Sequence, residues 1–387
     1  MHLSMGMLNC RIHLFANKWM IRMKLKNYYK LVLVILIFGI ISCSDTPNNP
    51  DDNYYISPPL TNTTWEQIDD PSTVGWSLEK LNQAYEYSKN IQTESVMIIY
   101  QGKVLYYWGD IEKKIWTHSC RKSFMSALYG IYVEEGDIDL NKTMADLGID
   151  DINPSLSEQE KQATVRMLLQ ARSGIYHDAA AETQAMRDAK PTRESHLAGT
   201  FWCYNNWDFN TVCTIFNQET GKDFFQELKT KILDPIGCED FQLSDGYYQY
   251  VSESIHPSYP FRISARDMAR FGLLFLRKGV WNNQRIISEN WVNESTTSYS
   301  DLGVRGGYGY MWWVTDHGHN NLGDYNLLPV SLPDGSFAAE GAYGQFCIII
   351  PDYDLVVVHR VNSDINNNVT DTEFGILLNY ILSARPH

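Results

Sequence analysis

Apolar side chains between residues 95 and 108 fall in two short runs, 95–100 and 104–108, on either side of Gln101-Gly102-Lys103. That pattern predicts a β-hairpin. Ser77-Leu78-Glu79-Lys80 opens a helical pattern that reaches about residue 90. A second helix is predicted from about residue 119 to 135, stopping near Gly136. From 137 to 300 the period is mostly helical, with helices predicted over 165–170, 209–219, 223–232, 265–276 and 289–296. Strand-like runs return at 308–314, 337–350 and 355–361, and 372–382 reads as a closing helix. Strands at both ends around a long helical middle predict an α+β fold. It would be an antiparallel sheet flanked by helices, with a mostly helical inserted subdomain at about 137–300.

The first 42 residues carry a different pattern. Arg11, Lys18, Arg22, Lys24, Lys26 and Lys30 precede an uninterrupted apolar stretch over 31–41, and no acid occurs before it. A basic region followed by a short apolar run is the pattern of a secretory signal, too short to span a bilayer. The stretch ends Ile40-Ile41-Ser42-Cys43, which resembles a bacterial lipobox, so Cys43 is the expected lipid anchor. Met23-Lys24-Leu25-Lys26 would open a signal of ordinary length. Residues 43–60, rich in Ser, Asp, Asn and Pro, read as a flexible tether. Residues 61–387 are then the folded domain. The expected location is the bacterial cell envelope, with the outer membrane favoured and the domain on the periplasmic or surface side.

Composition narrows the function. The chain has 387 residues, 32 basic and 46 acidic, with a formal charge of −14; without residues 1–42 the charge is −20. No basic stripe is present to neutralise phosphates, which excludes a duplex nucleic-acid binder. Seven cysteines minus Cys10 and Cys43 leave Cys120, Cys203, Cys213, Cys238 and Cys347. An odd number leaves at least one free thiol in an oxidising compartment. No Cys/His spacing fits a zinc site, and His317-Gly318-His319, in a Gly/Asn/Asp-rich stretch, reads as a solvated loop.

Three short motifs could carry chemistry. In Ser119-Cys120-Arg121-Lys122 the i, i+3 spacing puts the Lys122 ammonium within reach of the Ser119 oxygen, and serine is a weak nucleophile unless a neighbour takes its proton. Ser77 and Lys80 repeat the spacing, but Ser77 has the setting of a helix N-cap. Tyr204-Asn205-Asn206 offers a phenol for proton transfer and an amide for a substrate carbonyl; it also fits a packed tyrosine ahead of an N-cap at Asp208. Ala339-Glu340-Gly341-Ala342-Tyr343-Gly344-Gln345 leads into a strand, where glycine lets backbone approach a ligand or marks a bulge.

Together, in this order, the three motifs resemble the β-lactamase and penicillin-binding serine hydrolases, nearest the class C β-lactamase and esterase branch. The flanks are similar too, in His118 to Phe124, Thr164 to Leu169 with Ser173-Gly174, Gly199 to Tyr204, Ser264 to Gly272 and Tyr308 to Trp313. The resemblance covers about residues 75–385. It implies a β-lactamase/transpeptidase-like fold, Ser119, Lys122 and Tyr204 as catalytic residues, and Asn206, Gly341 and Ala342 as substrate and oxyanion residues. It implies no metal or organic cofactor. Partners would be a small ester, amide or peptide-like substrate and, through Cys43, a membrane; a monomer is expected.

One position departs from the family. Its third motif commonly begins Lys/His-Thr/Ser-Gly, and here Ala339-Glu340-Gly341 lacks the cation that helps hold a substrate carboxylate. An anionic β-lactam is therefore a less natural substrate than a neutral ester or amide. His359 or Arg360 on the following strand is a candidate replacement cation. Cys120 and Cys203 flank the first two motifs, so a disulfide between them is a second expectation to weigh against simple burial. Other readings stay open: a β-lactamase, a D-amino-acid peptidase or carboxypeptidase, or a non-catalytic sensor on the same scaffold. A glycan-binding or glycan-cleaving lipoprotein is suggested by Trp202, Trp207, Trp312 and Trp313, though no carboxylate pair stands out.

Overall fold

The computed structural model describes residues 54–386 apart from 62, 153, 316–321, 323–326 and 328. Residues 1–42, expected to be a signal, Cys43 and His317-Gly318-His319 lie outside the described residues. A seven-stranded sheet forms from β1 (Ser95–Tyr100), β2 (Lys103–Gly109), β3 (Gly307–Tyr308), β4 (Trp313–Val314), β5 (Phe337–Gly341), β6 (Gln345–Ile350) and β7 (Leu355–Arg360). Its order is β2-β1-β7-β6-β5-β4-β3, and every pairing is antiparallel. Five helices matter for the site: α1 (Leu78–Ser88), α2 (Arg121–Glu135), α3 (Asn206–Thr220), α4 (Ala265–Leu276) and α5 (Asp371–Ser383). No helix among the described residues is long and apolar enough to cross a membrane.

The central strands are apolar on both faces because both are covered. Phe346 of β6 stacks on Phe374 of α5, ring centroids 4.1 Å apart. The next residue, Cys347, points the other way, against α4. There Gly272 comes so close that a Cβ on it would sit 2.7 Å from both Cys347 Sγ and Val356 Cγ1. Each fully buried Val or Ile in β6 and β7 contributes roughly 1.5–3 kcal/mol, so these strands anchor everything built on them.

Local chemistry sets the helix ends. Ser264 caps α4 by accepting from the Asp267 N–H, and α2 ends at Gly136 with φ 84°, a conformation glycine reaches without strain. Three expectations need correction. The runs 308–314 and 337–350 are each two strands, not one. The chain turns between β3 and β4 at 309–312, where a Cβ on Gly309 would meet the Ser295 carbonyl at 2.2 Å. It turns again at 342–344, where Tyr343 and Gly344 both have positive φ. Residues 54–60, expected as tether, lie on the domain. Tyr55 stacks on Tyr85 with centroids 4.2 Å apart, and Ser57 exchanges hydrogen bonds with the backbone of Tyr107.

Candidate active site

Ser119 sits in a single 3₁₀ turn, His118–Cys120, that runs directly into α2. The turn is tight at its start, since His118 has φ 46°. Its imidazole meets the Ser363 hydroxyl at 2.8 Å, and burial, reinforced by Arg360 and Arg121, pushes its pKa down to about 4. A neutral His118 adds no positive charge beside the nucleophile at neutral pH.

One turn on, Lys122 is 2% exposed. Its Nζ donates to Ser119 Oγ at 2.9 Å and lies 2.5 Å from Tyr204 Oη, so one ammonium bridges both hydroxyls. Nζ also lies 4.3 Å from the ring centroid of Tyr204 and 4.5 Å from that of Phe209. Aromatic faces stabilise a cation that has lost much of its water. Tyr204 is held in turn by Trp313, stacked at 5.7 Å and 21°, and by the edge of Tyr308 at 6.0 Å. Phe209 and Trp313 were missing from the candidate set. Trp313 lay inside a segment quoted for its resemblance, and Phe209 gives no signal beyond its position five residues after Tyr204.

Asn205, not Asp208, caps α3: its side chain accepts from the Asp208 N–H at 3.0 Å. Asp208 is fully buried instead, and burial raises its pKa far above the usual carboxylate range. Ser173 Oγ donates to Asp208 Oδ1 at 2.5 Å, and Oδ2 has no partner. Asn206 donates its amide to the Ala181 carbonyl at 2.7 Å, while its Oδ1 is buried without a hydrogen bond. An unsatisfied buried acceptor costs about 1–3 kcal/mol.

The third motif reaches the nucleophile through Gly341. A Cβ there would lie 2.5 Å from the Thr117 carbonyl and 3.1 Å from the Ser119 nitrogen, so only glycine lets β5 come this close. Ala342 opens the turn to β6. The replacement cations do not serve. Arg360 is fully buried and donates to the carbonyls of Ile115, at 2.7 Å, and Trp116, while His359 bonds the Gly344 carbonyl at 2.7 Å. Cys120 and Cys203 are both free thiols, as are the other three described cysteines, and burial pushes Cys120 and Cys203 up to about 12. The decoy pair behaves as an N-cap: Ser77 accepts from the Lys80 N–H at 3.3 Å, and Lys80 Nζ donates to the Ser383 carbonyl.

Comparison with known proteins bears on the fold and the family. The chain is 28% identical over 106 residues to an uncharacterized protein of Alkalihalophilus pseudofirmus, a stretch that is 26% of this chain and 30% of that one. It thus spans less than a third of that curated relative. A β-lactamase structure from Mycobacterium bovis superposes with TM-score 0.55 at 18% identity, covering 78% of this chain and 98% of the other. A family VIII carboxylesterase structure superposes with TM-score 0.57 at 16% identity, covering 79% and 97%. Identities this low speak to the fold alone. The β-lactamase family model matches residues 78–378, a span that holds Ser119, Lys122, Tyr204 and Gly341, and the chain therefore belongs to the β-lactamase family.

Proposed function

We propose that the protein is a serine hydrolase that cleaves a small ester or amide through an acyl-enzyme on Ser119. The observation that carries this reading is the bridge of Lys122 Nζ to Ser119 Oγ at 2.9 Å and to Tyr204 Oη at 2.5 Å. A hydroxyl attacks a carbonyl only if a neighbour accepts its proton as the bond forms. In the proposed sequence the Lys122–Tyr204 pair enters the step one proton short, as ammonium beside phenolate or amine beside phenol; Ser119 Oγ adds to the carbonyl carbon and its proton passes to that pair. The N–H groups of Ser119 and Ala342 hold the oxyanion. The proton then goes to the leaving alcohol or amine, and water repeats the steps to release the acid. In this reading a substrate amide N–H donates to Asn206 Oδ1, which is buried without a hydrogen-bond partner.

A neutral ester or amide suits the site better than an anionic β-lactam. Ala339 supplies no cation, and Arg360 and His359 are committed to backbone carbonyls. The test is intact mass after a fluorophosphonate probe, wild type beside Ser119→Ala, with p-nitrophenyl acetate turnover in parallel. One adduct and turnover, both lost in the variant, are expected; a folded wild type with neither would favour a non-catalytic sensor. We further propose that Cys43 is lipidated and tethers the domain to the cell envelope. Metabolic labelling with an alkyne fatty acid should mark the wild type and not Cys43→Ala, and labelling of both would remove the anchor.

A further inference from the structure

The turn that carries the proposed oxyanion donor Ala342 holds a residue that its backbone disfavours. Tyr343 has φ 67° and Gly344 has φ 90°. Hairpin turns fill such positions with Gly, Asn or Asp, and a bulky side chain there is an outlier. Gly344 follows that rule and Tyr343 breaks it. Packing imposes the conformation. The Tyr343 carbonyl accepts the Val369 N–H at 3.3 Å, and a Cβ on Gly344 would lie 2.7 Å from the Val369 carbonyl oxygen. An asparagine would meet the same demand with less strain. Backbone strain of this kind concentrates at active sites and ligand clamps.

The tyrosine ring lies against His118, with centroids 4.9 Å apart. His118 has positive φ as well, 46°. Two strained non-glycine residues therefore meet ring to ring. One immediately precedes Ser119 and the other immediately follows Ala342, the two residues proposed to hold the oxyanion. Strand β5 brings them together: a Cβ on Gly341 would sit 3.2 Å from His118 Cβ and 3.1 Å from the Ser119 nitrogen. The core gains little from this tyrosine, which is 42% exposed. A planar apolar group laid on the ring would gain both buried area and stacking. His118, neutral at neutral pH, backs it without adding charge.

We propose that Tyr343, backed by His118, is the specificity-determining surface of the site, a platform for an uncharged aromatic group carried next to the scissile carbonyl, so that the enzyme selects aryl-bearing esters or amides. This rests on the serine-hydrolase reading of the same site. Tyr343 acts in substrate selection and takes no part in the proton transfers.

Four esters followed by proton release test it. Ethyl phenylacetate against ethyl butyrate varies the acyl side, and benzyl acetate against butyl acetate varies the alcohol side. In one arm wild-type kcat/KM should favour the aryl member about tenfold, and that arm identifies the group the platform takes. Tyr343→Phe should keep the preference. Tyr343→Asn should cut it at least about fivefold, with a thermal midpoint no lower than that of the wild type. Aryl-to-alkyl ratios that are the same in wild type and Tyr343→Asn in both arms overturn the platform. A second readout needs no turnover: saturation-transfer NMR of Ser119→Ala with the same esters. Transfer to phenyl protons, lost on adding Tyr343→Asn, is expected, and transfer that survives that change overturns the platform. Phenyl transfer that depends on Tyr343, in a protein whose Ser119 takes no probe, would retire the hydrolase reading and leave the platform standing.

Discussion

Ser77–Lys80 and Ser119–Lys122 have the same residue types at the same spacing, and they do different things. At the first, the serine oxygen is spent on the helix: it accepts the Lys80 N–H as the N-cap of α1, and the ammonium turns away to the Ser383 carbonyl. At the second, the serine stands within a 3₁₀ turn and does not cap. Its oxygen faces the ammonium at 2.9 Å, and that ammonium is buried under Tyr204 and Phe209. A solvated lysine side chain keeps its proton at neutral pH and moves freely. Buried and held between two hydroxyls, it has one geometry and little competing water. The difference therefore lies in what packs around each pair, and spacing contributes little to it.

The sharpest test of that difference is to remove each serine in turn. Ser119→Ala should lower ester turnover at least about 10³-fold and abolish probe labelling. Ser77→Ala should leave labelling intact and cost about 0.5–2 kcal/mol of stability, the value of an N-cap, read by denaturant titration. Labelling that follows Ser77 would break the comparison outright. The lysines come next. Lys122→Met should lower kcat about 10²–10⁴-fold, with Tyr204→Phe toward the lower end of that range, whereas Lys80→Met should shift stability by no more than about 0.5 kcal/mol. Lys122→Arg should not rescue, because a guanidinium keeps its protons at working pH. Equal kcat in Lys122→Met and wild type would show that the bridge is structural.

Gly341→Ala sharpens the argument from packing. The added Cβ meets the Thr117 carbonyl at 2.5 Å, so β5 must withdraw from Ser119. A kcat loss of about 10- to 100-fold is expected from the displaced backbone. An unchanged kcat would separate this strand from the oxyanion site. The smallest effect concerns Asp208, whose carboxyl pKa is raised well above the usual range by burial in α3. In the unfolded chain the same acid ionises near pH 4 (pKa ~3.9), so its burial makes wild-type stability fall as pH rises above that value. Asp208→Asn removes this slope. Its thermal midpoint should exceed that of the wild type at pH 7, and the gain should shrink toward pH 4. A gain that is constant with pH would mean that Asp208 is ionised in the folded state.

Legibility in the sequence varied with the range of the forces involved. Helix α4 was predicted at 265–276 because its cap Ser264, its apolar period and its length are all local signals. The β1–β2 hairpin was legible for the same reason, with Gln101 and Gly102 marking its turn. The split of 308–314 was not, because the turn is imposed by the Ser295 backbone across the molecule. Nor was the docking of residues 54–60, which depends on Tyr85 and Tyr107. Asp208 was read as an N-cap from its residue type, and Asn205 took that role because α3 begins three residues earlier than its apolar pattern. Arg360 was read as a candidate pocket cation, but alternation along a doubly covered strand turned it into the interior.

The sequence by itself determined the order of elements, the α+β class, the identity of the three motif side chains and, by resemblance, the family. Those depend on short-range periodicity, capping and residue chemistry, which a linear chain carries in full. Tertiary structure decided which Ser-x-x-Lys has a buried lysine, that Tyr204 and Phe209 cover it, that Tyr308 and Trp313 back Tyr204, and that Gly341 abuts the nucleophile. Each of those joins segments 82 or more residues apart along the chain, and only packing against the completed sheet brings them together.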